Sequence, residues 1–404
     1  MEKTRRNFLL GIMAVGGGFM GYSVYRGIRL PTLHWDPQEP STSFDFSDQI
    51  TAQGNNFIQT KAQSSTDVRL RAYAPEPTLT IQPSTNQKIS LEVNNIAFEA
   101  TLSSNDPSRI LTEAVSKITR VLELDLIANE PLTLAWQMPN IDTYRFACIG
   151  DTGGGQELAW CLDRAKQLDA LFLLHLGDFN YQAGDYQSSI DQFSNSEIPI
   201  YVSIGNHDFH EDGAIYDTFT REIGPLNHAF TLGNTRFVNI DTAANFLPYG
   251  SGARGKTFER LKNSATVENT IAYTHCPLYD PDPERHHDMG SEGEKQWLIE
   301  QLKELNIDTL LSGHIHIYDQ RNIDGIDNII VGQGLGHQDL ITNSDYSKIA
   351  VGDVDASGRV TISIEPLSMP MEMHCHPRSN PVKQSLSDPA HQSMLQMVEQ
   401  ACDT

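Results

Sequence analysis

The chain has 404 residues, 39% of them hydrophobic, which is enough for a core and for two domains or one large domain with an extra module. Asp and Glu number 52 against 29 Lys and Arg, a formal net charge of -23 at pH 7. A surface that acidic, with no basic stripe, should repel nucleic acid and anionic membranes; an anionic substrate would need a local positive centre.

The first 30 residues form a segment apart. Arg5-Arg6 precede an apolar run from Phe8 to Val24, the charged start and apolar middle of a signal-type sequence. The paired arginines followed by Asn7, Phe8 and Leu9 resemble a twin-arginine export signal. That reading places the protein in the periplasm or outside the cell and makes the twin-arginine machinery a partner. The alternative is an ordinary membrane anchor whose arginines stay inside. No clear small-x-small cleavage site is visible, so the segment would also serve as an anchor if retained.

Residues 31–140 are expected to form a β-rich N-terminal domain, with a small β-sandwich as the favoured form. Its first part, residues 34–66, is polar and turn-rich and reads as a linker or extended wrap. "TLTIQPS" and "KISLEVNNIAFEATL" alternate apolar and polar residues, and "PLTLAWQMP" is a further short strand. "RILTEAVSKITRVL" has the spacing of an amphipathic helix.

From residue 141 to 370 apolar strands alternate with helical stretches, the pattern of a layered α/β domain. The strands are "YRFACI", "ALFLLHL", "IPIYVSI", "TIAYTH" and "IDTLLS"; helices are expected over residues 156–168 and 294–305. Residues 371–404 are a polar, His- and Pro-rich tail. Five cysteines, an odd number in a long chain, do not read as a disulfide framework. Cys148 and Cys276 lie in or beside apolar runs, as buried thiols do. Cys375, between His374 and His376, is open to two readings, metal ligand or mobile tail, and the tail is favoured.

Each of the five strands ends in a polar cluster. They are Gly150-Asp151-Thr152-Gly153, Gly177-Asp178-Phe179-Asn180-Tyr181, Gly205-Asn206-His207-Asp208, His275, and Gly313-His314-Ile315-His316. In α/β layers, sites form beyond the carboxyl ends of strands. Glycines at four of the clusters permit the tight exit turns. A lone Gly-Asp is a turn and a lone Asn-His is little better; His-x-His is stronger because alternate strand residues share a face. The ordered set is what is specific.

With that set the chain resembles the metallophosphoesterases, the calcineurin-like phosphoesterase superfamily, and within them the purple acid phosphatases. Their pattern runs Asp-x-Gly, Gly-Asp-x-x-Tyr, Gly-Asn-His-Asp/Glu, a strand-end His, then Gly-His-x-His. It is matched here at Asp151 and Gly153, Asp178 and Tyr181, Asn206 and His207, His275, and His314 and His316. "HCPLYDPDPERHHDMGSEGE" resembles the family segment that leads to a substrate-binding His pair, here His286-His287. The resemblance spans residues 142–367, and plant-type relatives carry a β-sandwich before it. Thr152 is smaller than the family's usual residue there.

The resemblance implies a layered fold of two packed mixed β-sheets flanked by helices, holding two metals. Asp151, Asp178, Tyr181 and His316 would bind the first. That set is hard and anionic, and a Tyr ligand, with a solution pKa of about 10, ionises only beside a strong Lewis acid such as Fe(III). Asp178 would bridge to a second site with Asn206, His275 and His314, whose mostly neutral donors suit a divalent Zn, Fe or Mn. Two metals about 3.5–4 Å apart clamp a phosphate and lower a water's pKa from about 15.7 towards 7, which provides a hydroxide nucleophile for attack on phosphorus. His207, His286 or His287 would protonate the leaving oxygen.

The implied activity is an exported phosphatase acting on small phosphate monoesters. The nearest alternative is a phosphodiesterase or nucleotide hydrolase on the same metals. A non-catalytic metal or phosphate binder would have no use for His207 or His286. The β-rich part read as a cell-wall or partner-binding module is compatible with any of these. Beside the motif residues, Asp208 is read as orienting its neighbour, Asp241 as a strand-end turn residue and His175 as a core histidine bonded to a neighbour. His337 follows a strand and is a candidate to line the pocket.

Overall fold

The computed structural model describes residues 41–60, 67–139, 141–208, 217–243, 249–250, 252–282, 284, 286–335 and 347–367. The signal or anchor segment, the 371–404 tail with Cys375, and His337 lie outside the described residues. Among the described residues no helix is long and apolar enough to cross a membrane.

Ten strands make the β-rich region: β1 (Ser43–Ser47), β2 (Ile50–Asn55), β3 (Phe57–Gln59), β4 (Asp67–Ala72), β5 (Thr78–Pro83), β6 (Gln87–Asn94), β7 (Thr101–Ser104), β8 (Ile110–Ser116), β9 (Thr119–Leu126) and β10 (Leu132–Gln137). They pair as two five-stranded sheets, β1-β2-β5-β10-β7 and β3-β4-β6-β9-β8. Alternate residues from both sheets, among them Phe44, Ile81 and Trp136 against Phe57, Leu91 and Leu122, share one core, so the region is a β-sandwich. Two expectations are corrected here. Part of the stretch read as a linker or wrap folds as β1–β3, because Phe44, Phe46, Ile50 and Ala52 alternate inward and β2 pairs with β5. The amphipathic helix read from "RILTEAVSKITRVL" is the β8–β9 hairpin. Its Ile, Thr and Val residues are stiff at χ1 and favour strand, and Lys117 takes the turn at φ 52°.

The rest is layered α/β. The first sheet has the order β13-β12-β11-β20-β21, from β11 (Tyr144–Ile149), β12 (Phe172–His175), β13 (Ile200–Val202), β20 (Lys348–Val354) and β21 (Val360–Pro366). The second has the order β14-β15-β16-β17-β19-β18, from β14 (His228–Leu232), β15 (Thr235–Ile240), β16 (Asn269–Thr274), β17 (Thr309–Ser312), β18 (Tyr318–Ile323) and β19 (Ile326–Val331). Both are mixed: β11, β12 and β13 run parallel, as do β15, β16, β17 and β19. The inner faces meet through Phe146, Phe172, Phe230 and Phe237, with the Phe146 and Phe237 rings edge-to-face at 5.1 Å.

Helices cover the outer faces. α1 (Gln156–Gln167) and α2 (Asp185–Ser194) pack on the first sheet through Leu158, Cys161, Leu162 and Phe193. α3 (Asp217–Glu222) is a short surface helix. α4 (Ala253–Lys262) and α5 (Glu292–Glu304) pack on the second through Phe258, Leu298 and Leu302. Ser291 caps α5 by accepting from the Glu294 N–H at 3.2 Å, and Glu292 and Glu294 complement the positive end of the helix. The architecture is thus two packed mixed sheets between helices with a β-rich region ahead, as expected.

The sandwich is joined to the α/β layers by side chains that behave as backbone. The Asn95 amide donates to the Ile200 carbonyl at 3.0 Å and accepts from the Ile200 N–H at 2.9 Å, completing the open edge of β13. A cavity of about 380 Å³ lined by Phe98, Met138, Tyr144, Arg145 and Lys166 opens between the two regions at the start of β11, the end away from the strand-end clusters.

Candidate metal centre

Register brings the motifs level. Ile149 pairs with His175 and His175 with Val202, while Ile240 pairs with Thr274 and Tyr273 with Leu311. Chains therefore leave adjacent strands at one height and turn at once. Asp151, Asp178 and His314 make those turns in the left-handed region, at φ 61°, 60° and 70°. Asp and His tolerate that region better than most residues, at a cost of about 1–3 kcal/mol each. The glycines make room: a Cβ on Gly313 would lie 2.6 Å from Asp151 Oδ2, and one on Gly205 would overlap the Asp178 carboxylate.

Seven candidate ligands converge as two groups. In the first, the Tyr181 hydroxyl lies 3.0 Å from Asp178 Oδ2, 3.0 Å from His316 Nε2 and 3.3 Å from Asp151 Oδ1. In the second, His275 Nε2 lies 2.9 Å from Asn206 Oδ1, 3.2 Å from His314 Nδ1 and 3.4 Å from Asp178 Oδ1. Asp178 thus offers one carboxylate oxygen to each group. Metal–ligand bonds of about 2.0–2.2 Å put neighbouring donors about 3–3.5 Å apart, so the spacings fit coordination. One atom each of Asp151, Asp178 and His275 falls within 4.8 Å of the others, as does one each of His275, Cys276 and His314.

Neighbours aim these donors. His275 Nδ1–H donates to the Leu176 carbonyl at 2.8 Å, which fixes the ring and turns Nε2 inward. The His314 N–H donates to both oxygens of Asp151, at 3.1 and 2.9 Å. His314 and His316 do not sit on a strand, as the alternation argument assumed. They occupy the loop after β17, where Ile315 N–H bonds to Gly313 O and Ile317 N–H to Ile315 O; buried Ile315 lies between them.

Asp208 accepts from the N–H groups of Gly205, Asp178 and Phe179 at 2.7, 2.8 and 2.8 Å, tying two strand exits together. His175 accepts from the Gly177 N–H at Nδ1, so its Nε2 carries the proton facing Thr152 Oγ1 at 2.9 Å, the bonded core histidine that was expected. Asp241 is buried at the end of β15 and accepts from the Ala243 N–H at 3.0 Å, a strand-end turn.

The site is electrically tense without cations. Burial alone would lower the His275 pKa, but Asp178 and Asp151 beside it raise it to about 9. His314 is driven to about 3 by burial and by His275. Burial alone would raise Asp178, yet His275 and His207 hold it well below the usual carboxylate range. Burial, then Asp178 and Asp151, push the Tyr181 hydroxyl well above its ordinary value. A phenol ionises here only if positive charge enters the cluster.

The three histidines expected to meet substrate differ in placement. His207 is exposed, its ring 4.6 Å from Tyr181; its N–H bonds to Asp178 Oδ1 at 2.9 Å and its carbonyl to Asn180 at 2.8 Å. The exposed His287 ring faces His314 at 5.8 Å. His286 is exposed at φ 55°, and the ring contact with the cluster comes from His287. Cys276 was read as a buried thiol only. It is buried, but its sulfur also borders the ligand group, which its place after a strand-end His would have suggested.

Residues 144–318 match the family model described as calcineurin-like phosphoesterase. No curated protein matches the chain. Among solved structures, GAP50, the anchor in the inner membrane complex of Plasmodium, is 16% identical over 56% of this chain and 85% of its own, with a TM-score of 0.42. A dimetal phosphatase from Danio rerio is 11% identical over 56% and 99%, at 0.38. PhoD is 12% identical over 82% and 90%, at 0.40.

Proposed function

The chain carries a calcineurin-like phosphoesterase domain and is a metal-dependent phosphoric ester hydrolase; from that premise we propose that it is an exported dinuclear phosphatase of the purple acid type, hydrolysing small phosphate monoesters. The observation that carries this reading is Asp178, one oxygen of which lies with Tyr181 and the other with His275. Asp151, Asp178, Tyr181 and His316 would hold Fe(III). Asp178, Asn206, His275 and His314 would hold a divalent Zn, Fe or Mn.

When bound, the two ions supply Lewis acidity to the phosphoryl oxygens and to the attacking water. The protein's part is orientation and proton transfer. Asp178 and Asn180 pin the His207 main chain on both sides, so its ring stands beside Tyr181 at the rim of the first group. His287 stands at the rim of the second. Either imidazole can pass a proton to the leaving oxygen as the ester bond breaks, a contribution of roughly 10²–10⁴-fold. Export rests on the sequence of residues 1–30, and transport in the folded state would carry the metals out already bound.

The test is hydrolysis of an aryl phosphate monoester and the matching diester by metal-loaded protein, with Asp178→Asn as control. Monoester preference, abolished in Asp178→Asn, is expected. Diester preference would move the function to phosphodiester cleavage, and no turnover with both metals bound would leave a phosphate binder. Full activity in Asp178→Asn would refute the bridging role.

A further inference from the structure

One carboxylate, that of Asp280, ties the two arms of the His287 loop together. The loop leaves at Pro277 and returns at Met289, whose N–H bonds to the Pro277 carbonyl at 3.0 Å, so its base is closed. Its first arm is fixed from outside. Leu278 N–H donates to Asn328 Oδ1 at 2.7 Å, and the Tyr279 hydroxyl donates to Asp319 at 2.9 Å. The Arg321 guanidinium lies 4.9 Å over the Tyr279 ring and donates to the Pro281 carbonyl at 3.3 Å. The second arm, which carries His286 and His287, is held from outside at Asp288, which pairs with Lys295 of α5 at 2.5 Å, and from within by Asp280. Asp280 Oδ1 accepts from the Asp282 N–H at 2.9 Å, and Oδ2 accepts from the His287 N–H at 2.8 Å.

One oxygen therefore makes a local turn while the other spans seven residues to the one whose ring faces His314. His286 at φ 55° turns the chain immediately before that bond. A carboxylate accepting a main-chain N–H is among the stronger hydrogen bonds. Asp280 is not among the seven converging ligands, and its two oxygens are both engaged by the loop.

We propose that Asp280 is a positioning residue: its carboxylate links the anchored first arm of the loop to His287 and so sets that imidazole against the His314 side of the site, where phosphate binds. This rests on the phosphoesterase reading above. Asp280 touches neither substrate nor metal in this role, so its effect passes through His287.

The experiment compares Asp280→Ala, Asp280→Asn, His287→Ala and the Asp280→Ala/His287→Ala pair, each as the full metal-loaded chain. It reads kcat and KM on an aryl phosphate, metal content, thermal midpoint and affinity for inorganic phosphate. Misplacement of a binding group by about 1 Å costs up to roughly 10²-fold, so Asp280→Ala should lower kcat/KM by about 10-fold or more with metal content and midpoint unchanged. Asp280→Asn, whose single acceptor oxygen can keep one of the two bonds while its amide nitrogen cannot accept the other, should recover part of this, and the pair should be no worse than His287→Ala alone. Parental activity in Asp280→Ala or in His287→Ala, additive losses in the pair, or loss of metal would each overturn the proposal. If the parent turns over no phosphoester, the phosphoesterase reading fails separately. Phosphate affinity that falls in Asp280→Ala and returns in part in Asp280→Asn would then still uphold the positioning role, and unchanged affinity in Asp280→Ala would end it.

Discussion

Replacing Asn95 by glycine should loosen the whole molecule, because this side chain pairs with both the N–H and the carbonyl of Ile200 on the open edge of β13. Asn95 is 1% exposed and bonds to the Ile200 N–H at 2.9 Å, the Ile200 carbonyl at 3.0 Å and the Ala72 carbonyl at 2.8 Å. Arg71 also reaches the Ile200 carbonyl, at 3.3 Å, so that group keeps a partner when Asn95 is removed. The cost falls on the Ile200 N–H and on Ala72. At about 1–3 kcal/mol per buried group left unpaired, Asn95→Gly should lose about 2–6 kcal/mol. Asn95→Ala should lose about 1 kcal/mol more, since at φ 67° a Cβ is disfavoured and glycine is not. Against a total stability of about 5–15 kcal/mol, that is a large share. Urea unfolding followed by tryptophan fluorescence reads both differences. A loss below about 0.5 kcal/mol in Asn95→Gly would refute the edge-closing account, since even surface changes produce that much. Equal losses in the two variants would refute the backbone part.

Tyr181→Phe should abolish any visible phenolate-to-metal absorption of the loaded protein; a persisting band would exclude Tyr181 as the iron ligand. His207→Ala should cut turnover by roughly 10²–10⁴-fold with metal content intact, and loss of metal instead would make His207 a ligand. Buried His228, facing Tyr273, Asn239 and Tyr73, has its pKa lowered by burial from 6.5 to about 4. Its neutral form is favoured in the folded state, while the unfolded chain takes up a proton below about pH 6.5. Stability should therefore fall as pH drops from 6.5 towards 4, by about 2 kcal/mol at pH 5 and about 3 kcal/mol in all. Urea unfolding at pH 7 and pH 5 in parent and His228→Gln checks this, and an unchanged slope in the variant would remove His228 as the cause.

The candidate metal-centre residues were readable because each lies in a local signal, a polar residue or cluster, in four of five cases with its glycine, at the end of an apolar run. Such a signal needs only neighbours in the chain, as "LFLLHLGD" and "IPIYVSIGNHD" show. The β8–β9 hairpin misled for the same reason. Its apolar spacing fits a helix turn by turn, and only pairing with the rest of the sheet decides for strand. β1–β3 were hidden because short strands with polar outer faces look like linkers until a partner sheet covers Phe44 and Ile50.

What the sequence by itself determined is the chemistry: which side chains can bind hard cations, in what order, and that strand ends present them. The division into two groups sharing Asp178 came from the family resemblance; only the tertiary structure decided which Asp178 oxygen faces which group, the left-handed turns that aim Asp151, Asp178 and His314, and that the ring facing His314 is that of His287. It also revealed Asn95, Asp208 and Asp280 as the residues that hold β13, the strand exits and the loop in place. The reason is physical. Residue type sets what a donor atom can do, but where it points depends on hydrogen bonds to backbone that can lie about a hundred residues away, as Asn95 and Ile200 do. No local pattern encodes those bonds.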